Sequence, residues 1–259
     1  MHNEFIKAYW DSQAKTHNHS FEASWGDLNM IRLEIQTIGQ FLSPEQNVLD
    51  VGCANGFAAF THLENGLKKI TGVDYSENMI HQAKKHAAER GLEKRANFNV
   101  GDIQHIEAAD NSFDVVYTTR VLINLPNWES QLKGVKECLR VAKRGGLVIF
   151  SEAFWEPLCR LNALRVVANL SPLPEPDFNR YLKQSNLEDT LTTMGHDYES
   201  VDFSSLYYLG TRFIRELVED AGEQTKGFSN PFNNEFFKLE QQFNTRDFGV
   251  QKAFVITKR

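Results

Sequence analysis

Short apolar runs and segments with helical spacing alternate regularly between residues 46 and 153. The runs are rich in β-branched and aromatic residues and are almost wholly apolar, which is typical of strands that are covered on both faces of a sheet. Strands that alternate with helices indicate a parallel sheet. The pattern predicts five strands: Asn47–Asp50, Lys69–Asp74, Ala96–Val100, Phe113–Tyr117 and Leu147–Phe150.

The flanking regions follow a different pattern. An apolar stripe at helical spacing, from Leu28 to Leu42, predicts a helix that ends before Pro44. A short helix is predicted at Phe5–Trp10, followed by a loop around residues 16–20. After residue 154 the alternation stops, because a proline-rich segment breaks a helical region. Residues 200–208 and 250–257 are predicted as closing strands.

These patterns predict one domain of four segments. Residues 1–45 form N-terminal lid helices, 46–153 a ligand-binding core, 154–196 a helical cap inserted after the fifth strand, and 197–259 the C-terminal strands and helices. A chain of 259 residues is long enough for such a domain.

Composition narrows the class of protein. The chain is 41% hydrophobic and 24% charged with a net charge of −6, as in ordinary globular proteins, and it lacks the basic charge that nucleic acid attracts. The three cysteines have no disulfide or metal spacing. Neither a secretory signal nor an apolar run of the ~20 residues that cross a bilayer is apparent. We therefore expect a cytoplasmic protein without nucleic-acid, membrane or metal partners.

Ligand-binding chemistry is concentrated where the first three strands end. The first strand leads into a small-residue loop, Asp50–Gly56, whose glycines let the backbone approach a ligand closely. Asp74, 24 residues after Asp50, ends the second strand and can accept both hydroxyls of a ribose. Asp102 follows the third strand beside Ile103, an arrangement suited to an adenine amino group and ring face. Open α/β sheets bind ligands at this edge.

Between about Val48 and Glu152 the sequence resembles the class I S-adenosylmethionine-dependent methyltransferases. The resemblance implies a Rossmann-like, doubly wound sheet of seven strands with the last one antiparallel, and S-adenosylmethionine as the cofactor. It is carried by five segments: Asp50–Gly56, Val73–Met79, Gly101–Ile103, Phe113–Tyr117 and Lys143–Leu147. It implies that the following residues contact the cofactor: Asp50, Gly52, Ala54, Gly56, Asp74, Tyr75, Met79, Gly101, Asp102, Ile103, Thr119 and Arg120.

Two positions depart from the family pattern. Ala54 replaces the middle glycine of the loop and adds one methyl group, and the proline expected before Gly145 is absent. An NAD-dependent dehydrogenase is the main competing interpretation, but its glycines are usually spaced G-x-G-x-x-G, unlike Gly52, Ala54 and Gly56. A non-catalytic module that binds the cofactor is the other alternative.

The N-terminal segment of such enzymes commonly folds over the cofactor. Trp10 and Trp25 are the aromatic candidates for closing this lid, and Arg32 is a candidate partner for the cofactor carboxylate. Each can equally be read as ordinary packing or surface structure.

Four residues are candidates for catalysis. His17 and His19 lie in a polar segment near the predicted lid, and histidine is a natural general base. Glu152 ends the fifth strand and could act as a base or an orienting group. Arg120 stands beside an apolar run and therefore calls for an anionic partner, which could be cofactor, substrate or a structural carboxylate.

Several aromatic residues could line the acceptor side. The candidates are Phe154, Trp155, Phe178 and Tyr181 in the cap, together with Tyr207, Tyr208 and Arg212. A wall of this kind suits a sugar face or another ring, so we expect methyl transfer to a hydroxyl of a sugar or related metabolite. N-methylation of a small amine is the alternative. The Phe-rich segment from Phe228 to Phe243 could support a homodimer.

Overall fold

The structure is a computed structural model that describes residues 2–218, 227–228, 230–243 and 246–259. Ten α-helices lie in these residues. They are α1 (His2–His17), α2 (Leu28–Gly39), α3 (Phe57–Glu64), α4 (Glu77–Glu89), α5 (Trp128–Val141), α6 (Trp155–Val167), α7 (Gln184–Thr193), α8 (Ser205–Leu209), α9 (Arg215–Val218) and α10 (Pro231–Gln242).

Seven strands of the described residues form one sheet in the order β3-β2-β1-β4-β5-β7-β6. They are β1 (Val48–Val51), β2 (Ile70–Asp74), β3 (Ala96–Val100), β4 (Phe113–Thr119), β5 (Ala142–Ala153), β6 (Asp197–Asp202) and β7 (Gln251–Thr257). The first five strands are parallel, and β7 is antiparallel to both β5 and β6. The predicted Rossmann-like sheet of seven strands with an antiparallel last strand is confirmed.

Helices cover both faces of the sheet and bury its apolar side chains. One face packs against α2, α3 and α4 through residues such as Met30, Phe60 and Ile80. The other face packs against α5 and α7 through Val135 and Leu187. None of the helices in the described ranges is long and apolar enough to cross a bilayer.

The ligand edge is set by the strand order. β1 lies between β2 and β4, and the chain leads from β1 to β2 on one side and from β4 to β5 on the other, in opposite directions across the sheet. Such a reversal opens a crevice at the carboxyl ends of the strands. The ends of β3, β2, β1 and β4 therefore stand in a row along one edge.

Three predicted boundaries are wrong. The predicted strand at 200–208 ends at Asp202, and Tyr207 lies in α8, where its backbone N–H donates to the Glu240 carboxylate at 2.7 Å. α1 is longer than Phe5–Trp10 and continues through His17. β5 begins at Ala142 rather than at the predicted Leu147. The strand includes Gly145, whose backbone N–H donates to the Lys258 carbonyl oxygen. The four-segment division of the chain stays a prediction.

Candidate functional site

A cleft of about 890 Å³, including its open mouth, lies at the carboxyl ends of the strands. Its lining is largely apolar, with a few polar groups. Eleven of the predicted cofactor residues line it: Trp10, Gly52, Ala54, Asp74, Tyr75, Met79, Gly101, Asp102, Ile103, Thr119 and Arg120.

The glycine loop after β1 makes close backbone approaches. Gly52 has a φ of +78°, and a Cβ at this position would collide with Val121 on the facing loop. Gly56 has a φ of +83° and forms the N-cap of α3. A Cβ there would meet Phe60 at 2.8 Å and Phe98 at 3.0 Å, so Gly56 serves packing and lies outside the cleft lining.

Asp74 is fixed at the end of β2 by two backbone donors. Its Oδ2 accepts the N–H of Ala54 at 2.8 Å, and its Oδ1 accepts the N–H of Ser76 at 2.8 Å. Ala54 achieves this with a left-handed φ of +47°, a conformation that costs an L-residue roughly 1–2 kcal/mol. Burial raises the pKa of Asp74 to about 6. The carboxylate faces the cleft, where it can accept further hydroxyl donors.

Asp102 marks the β3 end of the cleft. Its Oδ1 accepts the N–H of Gln104 at 2.8 Å, which orients the carboxylate beside Ile103. Met79 is 1% exposed and adds an apolar wall on the same side, whereas Tyr75 is 40% exposed at the mouth. This end combines a hydrogen-bond acceptor with flat apolar contacts.

Asp50 lies beneath the loop rather than in the cleft lining. It is 2% exposed and pairs in register with Tyr117 on β4. Burial raises the pKa of Asp50 to about 7. A side-chain hydrogen bond with Tyr117 lowers the pKa of Asp50 against this effect of burial.

Arg120 projects into the cleft from the turn after β4. Its φ of +57° is again left-handed, and its backbone N–H donates to Ser151 O at 2.9 Å. Its guanidinium Nε donates to Glu34 Oε1 at 3.0 Å, and the group lies 4.9 Å over the Trp25 ring. Arg120 therefore has a structural carboxylate as partner while still lining the cleft. A structural carboxylate was one of the partners predicted for Arg120, but the sequence did not identify it as Glu34.

Glu152 is not placed as a general base. It is fully buried and outside the cleft lining. Its carboxylate accepts the Thr118 hydroxyl at 2.7 Å and the backbone N–H groups of Val121, Leu122 and Ile123 at 3.0 to 3.3 Å. Burial raises its pKa and the four donors lower it. Its oxygens are thus engaged in holding the turn that presents Arg120.

The two candidate histidines also lie outside the cleft lining. His17 Nδ1 is 3.7 Å from Glu22, and His19 Nε2 is 3.3 Å from Glu89 on α4. The His19 ring packs against that of His86 at 4.4 Å. The structure gives both histidines surface partners and no approach to the cleft.

The N-terminal segment predicted as a lid contributes to the cleft lining, and its closing over the cofactor stays a prediction. Ile6 and Trp10 on α1, together with Ser24, line the cleft. Asp11 accepts the Ser76 hydroxyl, next to Asp74, and so ties α1 to α4. Arg32 is exposed on α2 and, like Trp25, lies outside the lining, so the segment lines the cleft with Trp10 and Ser24 instead.

The predicted aromatic wall is dispersed. Phe154 is buried in the core against Phe254, and Trp155 is 41% exposed. Only Phe178 approaches the lid, with its ring 5.0 Å from that of Tyr9.

Tyr207 and Arg212 do not face the cleft either. Both donate to the fully buried Asp27 at 2.6 Å, and Asp27 caps the start of α2. Neither residue, nor Tyr208, lines the cleft.

The sequence analysis missed several contributors. Asn55 donates to the backbone oxygens of Asn18 and Ser20 at 2.7 and 2.8 Å, and so joins the glycine loop to the lid. Glu34 was not predicted. It is a single carboxylate within the apolar stripe of α2, and such an isolated charge was the sequence signal for a buried ion pair. The other missed lining residues are Ile6, Ser24, Val51, Val73, Gln104, Val121, Asn124 and Leu125.

The residues present fit S-adenosylmethionine. A carboxylate beside flat apolar walls at Asp102 suits adenine, the oriented Asp74 carboxylate suits ribose hydroxyls, and the close loop at Gly52 suits a ligand against the backbone. Arg120 in the lining is a cation that matches the carboxylate of an amino acid.

Comparisons with known proteins agree with this geometry. Residues 42–196 match the family described as "Methyltransferase domain". The chain is 30% identical over 184 residues, 71% of its length, to phosphoethanolamine N-methyltransferase 3 of Arabidopsis thaliana, of which the match covers 32%. It is 29% identical over 160 residues, 60% of its length, to the ubiquinone biosynthesis O-methyltransferase of Nitrosospira multiformis, of which the match covers 64%.

A solved structure is similar over the whole chain. The geranyl diphosphate C-methyltransferase of Streptomyces coelicolor A3(2), a complex with S-adenosyl-L-homocysteine, superposes with a TM-score of 0.62 over 100% of this chain and 97% of that one. At 12% identity the likeness is one of fold. Because the family match spans more than half of the sequence and the cleft fits the cofactor, the chain belongs to the class I S-adenosylmethionine-dependent methyltransferases.

Proposed function

We propose that this protein transfers a methyl group from S-adenosylmethionine to a hydroxyl oxygen of a small molecule, with a sugar or related metabolite as the preferred class. One observation carries the proposal. Four adjacent strand ends present Asp102, Asp74, Gly52 and Arg120, in that order, to a single cleft. The cofactor would extend along this row, with adenine at β3 and its amino-acid end at β1 and β4.

When bound, the cofactor supplies an electrophilic methyl group, and the protein has to align a nucleophile with it. Residues of the cleft lining would perform this task. Trp10 offers an aromatic face and Asn124 an amide, while Ile6 and Leu125 exclude water from the cleft. An aromatic face next to a polar amide suits the alternating apolar and hydroxylated surfaces of a sugar ring.

Amine methylation is a second candidate, and one observation favours it. Within the described lining there is no histidine or glutamate that could take a proton from a hydroxyl. An oxygen nucleophile generally needs such a base, whereas a neutral amine can lose its proton to water afterwards. The Arabidopsis relative is named as an N-methyltransferase and the Nitrosospira relative as an O-methyltransferase, so both acceptor atoms occur among relatives.

A screen with methyl-labelled S-adenosylmethionine tests the proposal. The purified protein would be incubated with matched panels of sugars, other hydroxylated metabolites and small amines, and the labelled product identified by mass spectrometry and NMR. Asp74→Asn, expected to bind the cofactor poorly, is the control for label transfer by contaminants. Label on oxygen supports the first candidate and label on nitrogen the second. Tight cofactor binding without transfer to any panel would favour a non-catalytic module.

A further inference from the structure

Glu34 is a buried carboxylate that the proposed reaction does not use. It lies on α2 and is 1% exposed, and its Oε1 accepts a hydrogen bond from Arg120 Nε at 3.0 Å. Its second oxygen, Oε2, is buried and has no hydrogen-bond partner in the described part of the chain. A proton taken up on Oε2 would leave Oε1 as the acceptor of Arg120 Nε.

Arg120 is held at the edge of the cleft by its surroundings. The Trp25 ring lies under the guanidinium, and Nη1 points to Ser24 O at 3.4 Å. The backbone is fixed on both sides, because the Arg120 N–H donates to Ser151 O and the Arg120 carbonyl accepts Asn124 Nδ2 at 2.8 Å. The ion pair with Glu34 is the contact that compensates the charge of Arg120.

We propose that Glu34 is a positioning residue that aims Arg120 at the amino-acid end of the bound cofactor and that, by gaining or losing one proton, Glu34 sets how much of the Arg120 charge the cofactor carboxylate meets. With Glu34 protonated, the guanidinium keeps its hydrogen bond but its charge is free to attract an anion. With Glu34 ionised, the two charges compensate each other. This inference rests on the proposed function, because it requires the amino-acid end of the cofactor to lie at β4.

The surroundings of Glu34 place its titration near neutral pH. Burial raises the pKa of Glu34 to about 7, and Arg120 opposes this shift. The other charged or titratable groups that face it are Asp27 before α2, Glu152 on β5 and Tyr208 on α8. Asp27 and Glu152 raise the pKa of Glu34 further. Below about pH 7 the protonated form therefore prevails.

The test compares two ligands that share a nucleoside. S-adenosylhomocysteine carries the amino-acid end, and methylthioadenosine lacks it, so the ratio of their affinities isolates that end from Asp74 and Asp102. Affinities would be measured by calorimetry between pH 6 and pH 8 for the wild type and for Glu34→Gln, which resembles the protonated form. Asp50 also titrates near pH 7 at this end of the cleft, but it is present in both proteins.

At pH 6 the affinity ratio should be similar in the two proteins. At pH 8 the ratio should be about tenfold higher in Glu34→Gln, since a ligand anion that shifts a pKa by one unit changes affinity tenfold. Glu34→Ala, which removes the acceptor of Arg120 Nε, should lower the ratio at pH 6, where Glu34 of the wild type is protonated and aims Arg120 without compensating its charge. Glu64→Gln removes a charge from a surface pair with Arg90 and should behave as the wild type.

A ratio with the same pH dependence in wild type and Glu34→Gln overturns the inference, and so does an unchanged ratio at pH 6 in a folded Glu34→Ala. Melting curves without ligand establish that each variant is folded. Failure of either ligand to bind the wild type would overturn the proposed function together with this inference. Normal binding with a shared pH dependence would overturn the inference alone.

Discussion

Three residues with left-handed backbone conformation lie where the chain meets the cleft. Gly52, Ala54 and Arg120 all have positive φ angles and all line it. Such conformations cost non-glycine residues free energy and persist where surrounding contacts enforce them. Ala54 is enforced by the N–H that it donates to Asp74, and Arg120 by the turn built around Glu152. Ala54 and Arg120 therefore carry backbone strain at positions that orient groups facing the cofactor.

Ala54→Gly should stabilise the protein by about 0.5–1 kcal/mol. Glycine adopts the left-handed conformation without the steric cost that alanine has there. The higher conformational entropy of glycine in the unfolded chain offsets only part of this stabilisation. Urea unfolding measures the change. Ala88→Gly, at an exposed position of α4, is the matched control and should destabilise by about 0.5–1 kcal/mol. A destabilised Ala54→Gly would mean that the methyl group packs usefully.

Asp74→Asn should weaken binding of S-adenosylhomocysteine by about 10- to 100-fold, since hydrogen bonds to a charged acceptor contribute about 1.5–3 kcal/mol. The amide would also turn a donor toward one of the two N–H groups that Asp74 now accepts. Calorimetry measures the affinity, with the exposed Asp189→Asn on α7 as control. Unchanged affinity would refute the ribose assignment.

At the scale of elements, side-chain contacts tie α1 and the following turn, the predicted lid, to the cofactor loops. Lys7 pairs with Glu77 at 2.8 Å, Asp11 bonds to Ser76, and Asn55 holds the chain at Asn18. Ser76, Glu77 and Asn55, which make these contacts, lie close in sequence to Asp74 and Ala54, which line the cleft. The same short segments therefore hold α1 in place and form part of the cofactor site.

Asp11→Ala should loosen α1 and weaken binding of S-adenosylhomocysteine by about 3- to 10-fold, because it removes the charged acceptor of Ser76 while leaving the cleft's own polar groups in place. Hydrogen exchange of α1 should rise in the same variant. Lys15→Ala, exposed on the same helix, provides the comparison and should change neither quantity. If exchange rises but affinity does not fall, the lid is not needed for binding.

The sequence pattern predicted some helices and strands better than others. β3 has the predicted bounds, and Ser76 caps α4 as expected, accepting the Met79 N–H at 3.1 Å. The region around Tyr207 was misread as strand, because its apolar run is buried by α10 and carries no period that separates strand from helix. Its helix is capped by Glu240, 33 residues away.

At the scale of the whole molecule, several acids are buried with raised pKa values. Burial raises the pKa of Glu34, Asp50 and Glu240 to about 7, and that of Asp74 to about 6. Folding then binds protons that the unfolded chain, with ordinary carboxyl pKa values near 4, releases. The stability that this contributes is full below about pH 4 and is lost as pH rises through 7.

The ligand-free protein should therefore lose about 4 kcal/mol of its free energy of unfolding between pH 6 and pH 8, roughly 1.4 kcal/mol for each of the three acids whose pKa is about 7. Burial lowers the pKa of His62 to about 4, which acts in the opposite direction but mainly below pH 6.5. Urea titrations at several pH values measure the trend, and Glu34→Gln should flatten it. Constant or rising stability over this interval would show that these acids are ionised throughout.

The sequence by itself determined the order of strands and helices and the cofactor class. These depend on local period, on capping residues such as Ser76 and on the spacing of Asp50, Gly52 and Asp74, all of which are short-range properties of the chain. Asp102 was placed for the same reason, because it directly follows a strand.

Only the tertiary structure decided which side chains meet across the cleft. Glu34 reaches Arg120 over 86 residues, Asp11 reaches Ser76 over 65, and Glu152 reaches Val121 over 31. Such pairs form because the strand order brings distant segments to one edge and because a buried carboxylate has to find donors there. Neither condition leaves a mark in the local pattern, so Glu152 changed from a candidate base to a support of the turn.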